Sequence, residues 1–365
     1  SFWMGHRVTT AAGISGAVRE PCGDDLFRPN ATSADATGAD ATGADATHTR
    51  TTHKRRNTMK WKGVIPAMTT CFKSGSQIDH AFMTGHSQWL VENGCTGVVV
   101  LGSLGEGATL TFDEKAAVMA NCAKALKGRG SVVAAISSLT TAESVSLAKA
   151  AHAAGCDGLM VLPPYVYKGD WREMKAHVAA VFQATPLPCM LYNNPIAYGT
   201  DFLPEQIQEL AKEFGNFQAV KESSADVRRV SAIRALVGDR LAIFVGVDDA
   251  ILEGINVGAV GWIAGLANAL PRESVDLFDN GVAGKSAEAF EIYRWFLPLL
   301  RLDTVPKFVQ LIKLVQEELG IGNADVRAPK LRIAGDELRA TKELLQHAIR
   351  TRPKNASMEM RQETR

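Results

Sequence analysis

The sequence predicts a closed (β/α)8 barrel, and three observations carry that prediction. Eight short apolar runs alternate with segments whose apolar residues recur every three or four positions. The runs are almost continuously hydrophobic, as parallel strands covered on both faces must be. The whole alternation fits between residues 63 and 265, too regular and too long for an open doubly wound sheet.

Taken in order, the predicted strands are "GVIPAMTT" (63–70), "GVVVLG" (97–102), "VVAAIS" (132–137) and "DGLMVLP" (157–163), then "PCMLYN" (188–193), "FQAVKE" (217–222), "LAIFVG" (241–246) and "AVGWIAG" (259–265). Helical segments such as "DEKAAVMANCAKAL" and "AESVSLAKAAHAAG" lie between them. Thr111 with Glu114, and Thr140 with Glu143, have the spacing of a capping box. Gly94, Gly155 and Gly258 stand where helices should end. Four further helices are expected after the eighth strand, with apolar faces that need either the barrel wall or another subunit. The expected organisation is an extension (1–58), a barrel (59–270), a helical segment packed on it (271–350) and a tail (351–365).

Composition narrows the function. The formal net charge is +1, so no global field recruits nucleic acid or an anionic membrane. No apolar stretch is long enough to cross a bilayer as a helix. Six cysteines are scattered without a CxxC or Cys/His cluster, which argues against a zinc site and for buried thiols in a reducing cytoplasm. The extension contains the repeat "ATSADATGADATGADAT" and has almost nothing to bury, so it is expected to be disordered and to lie upstream of a natural start at Met59.

Barrel chemistry sits at the C-terminal ends of the strands. Those ends read "GSLGE", "YNNP", "KESS" and "GVDD". Lys221 stands at the end of an apolar run, and desolvation there favours a neutral, nucleophilic amine over an ammonium. Such an amine forms a Schiff base with a ketone or imine carbon, and the protonated imine is an electron sink for aldol or elimination chemistry. The bland reading is a strand-end lysine paired with Glu222. Tyr192 ends the neighbouring strand and is suited to moving protons. The backbone N–H groups around Gly102, Ser103 and Leu104 suit a carboxylate. Asn194 and Gly246 complete the expected substrate-binding residues. Asp248 and Asp249 would repel a phosphate, and one of them reads as a helix cap. No metal site is implied, and no cofactor beyond the lysine imine.

With "GSLGE", "YNNP" and "VKESS" in this order, the chain resembles the dihydrodipicolinate synthase / N-acetylneuraminate lyase family over about residues 60–350. The resemblance implies a class I enzyme acting on 2-oxo acids, with Lys221 as the Schiff-base lysine, Tyr192 as the proton-relaying tyrosine and Ser103 in place of a threonine hydroxyl. It also implies a homo-oligomer, dimer or tetramer. Two positions depart from the synthase pattern. Ala197 stands where an arginine grips the carboxylate of the aldehyde substrate. Val166, between Tyr165 and Tyr167, stands where a second relay tyrosine is expected. Within the family, "YNNPIAYGT", "KESSADVRR", "GVDDA" and "LDTVPKFVQLIKL" look most like the Δ1-pyrroline-4-hydroxy-2-carboxylate deaminases of hydroxyproline catabolism. That likeness implies deamination of this cyclic imino acid to 2,5-dioxopentanoate, with Ser103 as the hydroxyl partner of Tyr192. Competing expectations are a 2-keto-3-deoxy sugar-acid aldolase or dehydratase, an N-acetylneuraminate lyase, a 4-hydroxy-tetrahydrodipicolinate synthase (disfavoured by Ala197 and Val166), and a non-catalytic 2-oxo acid sensor.

Overall fold

The computed structural model describes residues 59–165 and 167–353. The expected disordered extension, Cys22, Val166 and the end of the tail lie outside the described residues.

Eight parallel strands are present: β1 (Gly63–Pro66), β2 (Gly97–Val100), β3 (Ser131–Ile136), β4 (Gly158–Val161), β5 (Cys189–Asn193), β6 (Phe217–Glu222), β7 (Ala242–Val245) and β8 (Gly261–Ala264). From β2 to β8 each strand pairs with the next in sequence, and β8 pairs with β1. The seam between β1 and β2 is joined by a bridge from Ala67 to Val99, with the Met68 N–H donating to the Val99 carbonyl at 2.8 Å. The fold is therefore the expected (β/α)8 barrel. Strand β1 is shorter than its apolar run. Past Pro66 the chain passes from β8 to β2: Ala67 N–H still bonds Ala264, Met68 turns to Val99, and Thr69 N–H finds the Asn268 side chain.

The helices of the barrel layer are α1 (His80–Glu92), α2 (Phe112–Ala125), α3 (Thr141–Ala154), α4 (Trp171–Gln183), the single turn α5 (Pro195–Tyr198), α6 (Pro204–Glu213), α7 (Arg228–Val237), α8 (Ile251–Asn256) and α9 (Pro271–Val282). Thr111 and Glu114 form a full capping box. At Thr140 only half of it exists: the hydroxyl accepts the Glu143 N–H, and the return bond from the carboxylate is not made. Gly155 ends α3 in the left-handed conformation, a position that penalises a Cβ.

Three more helices follow: α10 (Ser286–Leu300), α11 (Phe308–Glu318) and α12 (Gly335–Arg350). Most of their apolar residues pack on this chain itself, while Phe290 of α10 and Ile349 of α12 stay exposed. Phe296, Leu299, Ile312 and Leu345 join the main hydrophobic core, and the Trp295 indole donates to the Ala348 carbonyl at 2.9 Å. Trp295 therefore belongs to the packing of α10 on α12. The five described cysteines are free and buried; burial pushes Cys95, Cys122 and Cys156 up to about 12, which leaves them as inert thiols. Among the described residues, no helix is long and apolar enough to cross a membrane.

A buried ion pair ties the added helices to the barrel mouth. Lys313 of α11 donates to Glu106 at 3.0 Å and to the Thr70 carbonyl at 2.8 Å, and the second Glu106 oxygen accepts the Arg327 N–H at 3.0 Å. Both side chains are almost wholly inaccessible. Glu106→Ala strands the Lys313 charge in the interior, so the variant should lose about 3–5 kcal/mol of stability. Equilibrium denaturation of the variant against the native chain measures this directly. A loss under about 1 kcal/mol contradicts the assigned role of the pair.

Candidate active site

Register decides which side chains face the barrel interior. Tyr192 of β5 pairs with Lys221 of β6, and Asn193 pairs with Glu222 one step on. Successive strand residues point to opposite faces. Lys221 and Tyr192 therefore share one face, and Asn193 and Glu222 the other. The hydrogen bonds agree: Asn193 Nδ2 donates to Glu222 at 3.0 Å and to Asp201 at 3.1 Å, while its Oδ1 accepts the Phe202 N–H. Glu222 is thus engaged away from Lys221, and the pairing of Lys221 with Glu222 is not formed.

Lys221 is only 6 % exposed. Its Nζ lies over the Tyr192 ring, 4.0 Å from the centroid. Burial depresses its pKa to about 8, against the opposing pull of Asp303 and Asp248. An appreciable fraction of the amine is then free at neutral pH, which a nucleophile requires. Gly246, just past β7, leaves the room this side chain occupies. A Cβ there would fall 2.4 Å from Lys221 Cε and 2.0 Å from Ser223 Oγ. Gly246 acts on the site through that space.

Tyr192 and Ser103 are brought to the same mouth, and a third residue stands between them. The Ser103 hydroxyl bonds the hydroxyl of Tyr198, not that of Tyr192, so the expected Ser103–Tyr192 pair is corrected. The Tyr192 hydroxyl accepts from Asn194 Nδ2 at 3.0 Å. The rings of Tyr192 and Tyr198 meet edge to face with centroids 5.7 Å apart. Burial raises the Tyr192 phenol to about 12, with the Asn194 amide working in the opposite direction. Burial likewise raises Tyr198, with Tyr192 adding to it. Tyr198 is reached because α5 is a single turn: Asn194 Oδ1 caps it through the Ala197 N–H, and Gly199 closes it in the left-handed conformation. Both ends of the Asn194 side chain are engaged in these contacts, which makes it a positioning group for Tyr192 and α5.

The two tyrosines that flank Val166 part company. Tyr165 packs against Tyr198 with centroids 5.8 Å apart and accepts from Ser137 Oγ at 3.2 Å. Tyr167 is exposed and donates to Glu173 at 2.9 Å. Only Tyr165 joins the aromatic cluster.

The loop after β2 is shaped as a carboxylate cradle requires. Leu101 and Glu106 both have positive φ, at 67° and 55°. The Gly102 and Ser103 carbonyls accept the N–H groups of Gly107 and Glu106, whereas the Ser103 and Leu104 N–H groups bond no described residue. The Leu104 side chain is buried in the core, so the loop offers its backbone there. Ala197 is exposed at the rim of the mouth.

Asp248 does not cap the element that follows it. Its carboxylate accepts the Trp262 indole N–H at 2.9 Å and the Gly265 and Leu266 N–H groups at 2.8 to 3.1 Å, which holds the turn after β8. Asp303 was missed by sequence reasoning. It comes from a short 3-10 turn, Arg301–Asp303, beyond α10, and lies against Gly265, where a Cβ would fall 2.1 Å from its Oδ1.

A buried amine thus stands in a parallel barrel mouth beside phenols and a loop whose Ser103 and Leu104 N–H groups bond no described residue. The profile of the Dihydrodipicolinate synthetase family matches residues 60–348, and the chain belongs to that family. Its chemistry is accordingly of the class I type, in which a lysine forms a Schiff base with the substrate and no external cofactor takes part. The chain is 34% identical over 269 residues to a 4-hydroxy-tetrahydrodipicolinate synthase of Mesorhizobium japonicum (73% of this chain, 92% of the relative). It is 29% identical to the corresponding protein of Desulforamulus reducens (79% and 98%). Among solved structures, dihydrodipicolinate synthase from Aquifex aeolicus superposes with a TM-score of 0.76 at 27% identity (81% and 100%). A prophage protein of the same family from E. coli, in complex with pyruvate, gives 0.75 at 25% identity (79% and 99%).

Proposed function

We propose that Lys221 is the Schiff-base lysine and that the substrate is the cyclic imino acid Δ1-pyrroline-4-hydroxy-2-carboxylate. The observation that carries this reading is which groups act on the Lys221 amine: they are the carboxyls of Asp303 and Asp248, with no arginine or second lysine among them. An aldehyde co-substrate bearing its own carboxylate needs a cation at the mouth, and Ala197 stands where that arginine belongs. A mouth lined by carboxyls and phenols suits a substrate whose far side carries nitrogen and hydroxyl groups.

In this reading the substrate carboxylate rests on the Ser103 and Leu104 N–H groups while Lys221 Nζ attacks C2. The C2–ring nitrogen bond breaks, leaving a lysine imine and a primary amine at C5. A proton leaves C3 and the C4 hydroxyl departs as water, which gives a C3=C4 double bond conjugated with the lysine imine. A proton then moves from C5 to C3, and the C4=C5 enamine so formed tautomerises to an imine at C5. Hydrolysis at C5 and at the lysine imine releases ammonia and 2,5-dioxopentanoate. One water is consumed overall. Tyr192, with its hydroxyl steered by Asn194, moves the protons, and Tyr198 links it to Ser103. Tyr192→Phe is therefore expected to lower kcat by about 10²–10³-fold while pyruvate is still trapped on the enzyme by borohydride. Unchanged turnover in that variant removes Tyr192 from the chemistry.

The relatives' names favour a second reading, condensation of pyruvate with an aldehyde. The two are separated by one assay. Ammonia release from the pyrroline, with no consumption of aldehyde in the presence of pyruvate, supports the deaminase; the reverse pattern supports a synthase.

A further inference from the structure

Two carboxyls act on the Lys221 amine, and both meet at Gly265 after β8: Asp248 accepts its N–H, and Asp303 lies against its Cα. Their hydrogen bonding differs. Asp248 is surrounded by donors: one indole and two backbone N–H groups point at its oxygens. Burial pushes its pKa up to about 6, and the three donors work against that rise, which leaves the carboxyl an anion at neutral pH. Asp303 is placed otherwise. Its Oδ1 is fully buried and has no hydrogen-bond partner among the described residues. The turn that carries it is pinned from outside by the Arg301–Asp249 ion pair at 3.4 Å, and Gly265 lets the carboxyl lie flat on the β8 backbone. The groups that act on it come from three elements: Lys221 on β6, Asp248 and Asp249 after β7, and Tyr192 on β5. Burial first, and then the Asp248 charge, raise the Asp303 pKa well above the usual carboxylate range. One carboxyl is thus held as an anion and the other as a neutral acid, the division of roles that acid–base sites use.

We propose that Asp303 is a further catalytic residue, the acid that protonates the nitrogen displaced from C2 by Lys221. This rests on the imino-acid reading above. The Nζ–C2 bond forms and the C2–nitrogen bond breaks. The C2=N π pair stays on the ring nitrogen as Nζ adds, the two Nζ protons pass to that nitrogen through Tyr192, and the σ pair of the broken C2–N bond leaves with it. The resulting primary amine takes the Asp303 proton as its third. The products of the step are a lysine imine, a primary ammonium and an Asp303 carboxylate, which then pair across the mouth. The substrate class follows: 2-imino acids whose leaving nitrogen stays tethered, in preference to open-chain 2-oxo acids that release only water at this carbon.

Asp303→Asn keeps the shape of the side chain and removes its proton. Ammonia release from the pyrroline should fall by about 100-fold or more, and by at least about tenfold more than borohydride trapping of pyruvate, which shares the Lys221 attack but not the departure of the nitrogen. The infrared difference spectrum of native protein minus variant, taken without substrate at neutral pH, should show one protonated carboxyl. Ammonia release within about threefold of native overturns the proposal. So does an equal loss of pyruvate trapping, which makes Asp303 a support for Lys221, and so does a difference spectrum with no protonated carboxyl. Absence of ammonia release from the native enzyme overturns the imino-acid reading itself, and this proposal with it.

Discussion

Lys221→Ala is expected to abolish borohydride-dependent labelling by either the pyrroline or pyruvate and to cut turnover by about 10⁴-fold or more. The size follows from the role: the amine that would form the bond is removed. The other buried lysines among the described residues are held elsewhere, Lys313 by Glu106 and two backbone carbonyls and Lys115 by the Ser137 carbonyl at 3.3 Å. The same argument gives the pH dependence. Only the neutral amine attacks, and burial lowers the Lys221 pKa to about 8. Trapping by the native enzyme should therefore speed up as pH rises and level off above about 8. A lysine with the ordinary value near 10.4 would instead still be gaining rate there. Residual labelling in the alanine variant, mapped to another lysine, would show that the nucleophile is misassigned.

Gly246→Ala should be nearly as damaging, although it removes no functional group. The new methyl would sit 2.4 Å from Lys221 Cε and 2.0 Å from Ser223 Oγ, separations no real Cβ sustains. The lysine is the flexible partner and is the part that moves. A displacement of about 1 Å at the nucleophile costs on the order of 100-fold in rate. Overpacking of the mouth adds about 1–3 kcal/mol of destabilisation, measurable as a lower denaturation midpoint. An alanine variant that traps pyruvate at the native rate contradicts the packing described for Lys221.

The barrel was legible because its signal is repetitive. Apolar runs of six to eight residues recur with helices between them, and each observed strand lies inside its predicted run or, for β3, begins one residue before it. Lys221 and Tyr192 were legible for the same reason: they end their runs, and the topology rule places run ends at the mouth. Their adjacency, in register on β5 and β6, followed from strand order alone. Tyr198 was harder to place. It sits three residues past Pro195, and a loop would have scattered it; the single capped turn of α5 aims it at Ser103. Glu106 belongs to the same "GSLGE" motif as Ser103, yet it serves the Lys313 pair, and no spacing rule joins residues 207 positions apart. Asp303 had the least signal. It lies outside the eight strand–helix units, so the rule that locates barrel sites assigns it no position. Only the packing of the turn after α10 onto Gly265 delivers it to the mouth.

Intact mass and peptide mapping after borohydride reduction, with Δ1-pyrroline-4-hydroxy-2-carboxylate as the ligand, test the central claim most directly. The expected result is a single reduced adduct on the peptide that carries Lys221, accompanied by ammonia release when borohydride is left out. No adduct, or an adduct on any other lysine, would contradict Schiff-base chemistry at Lys221.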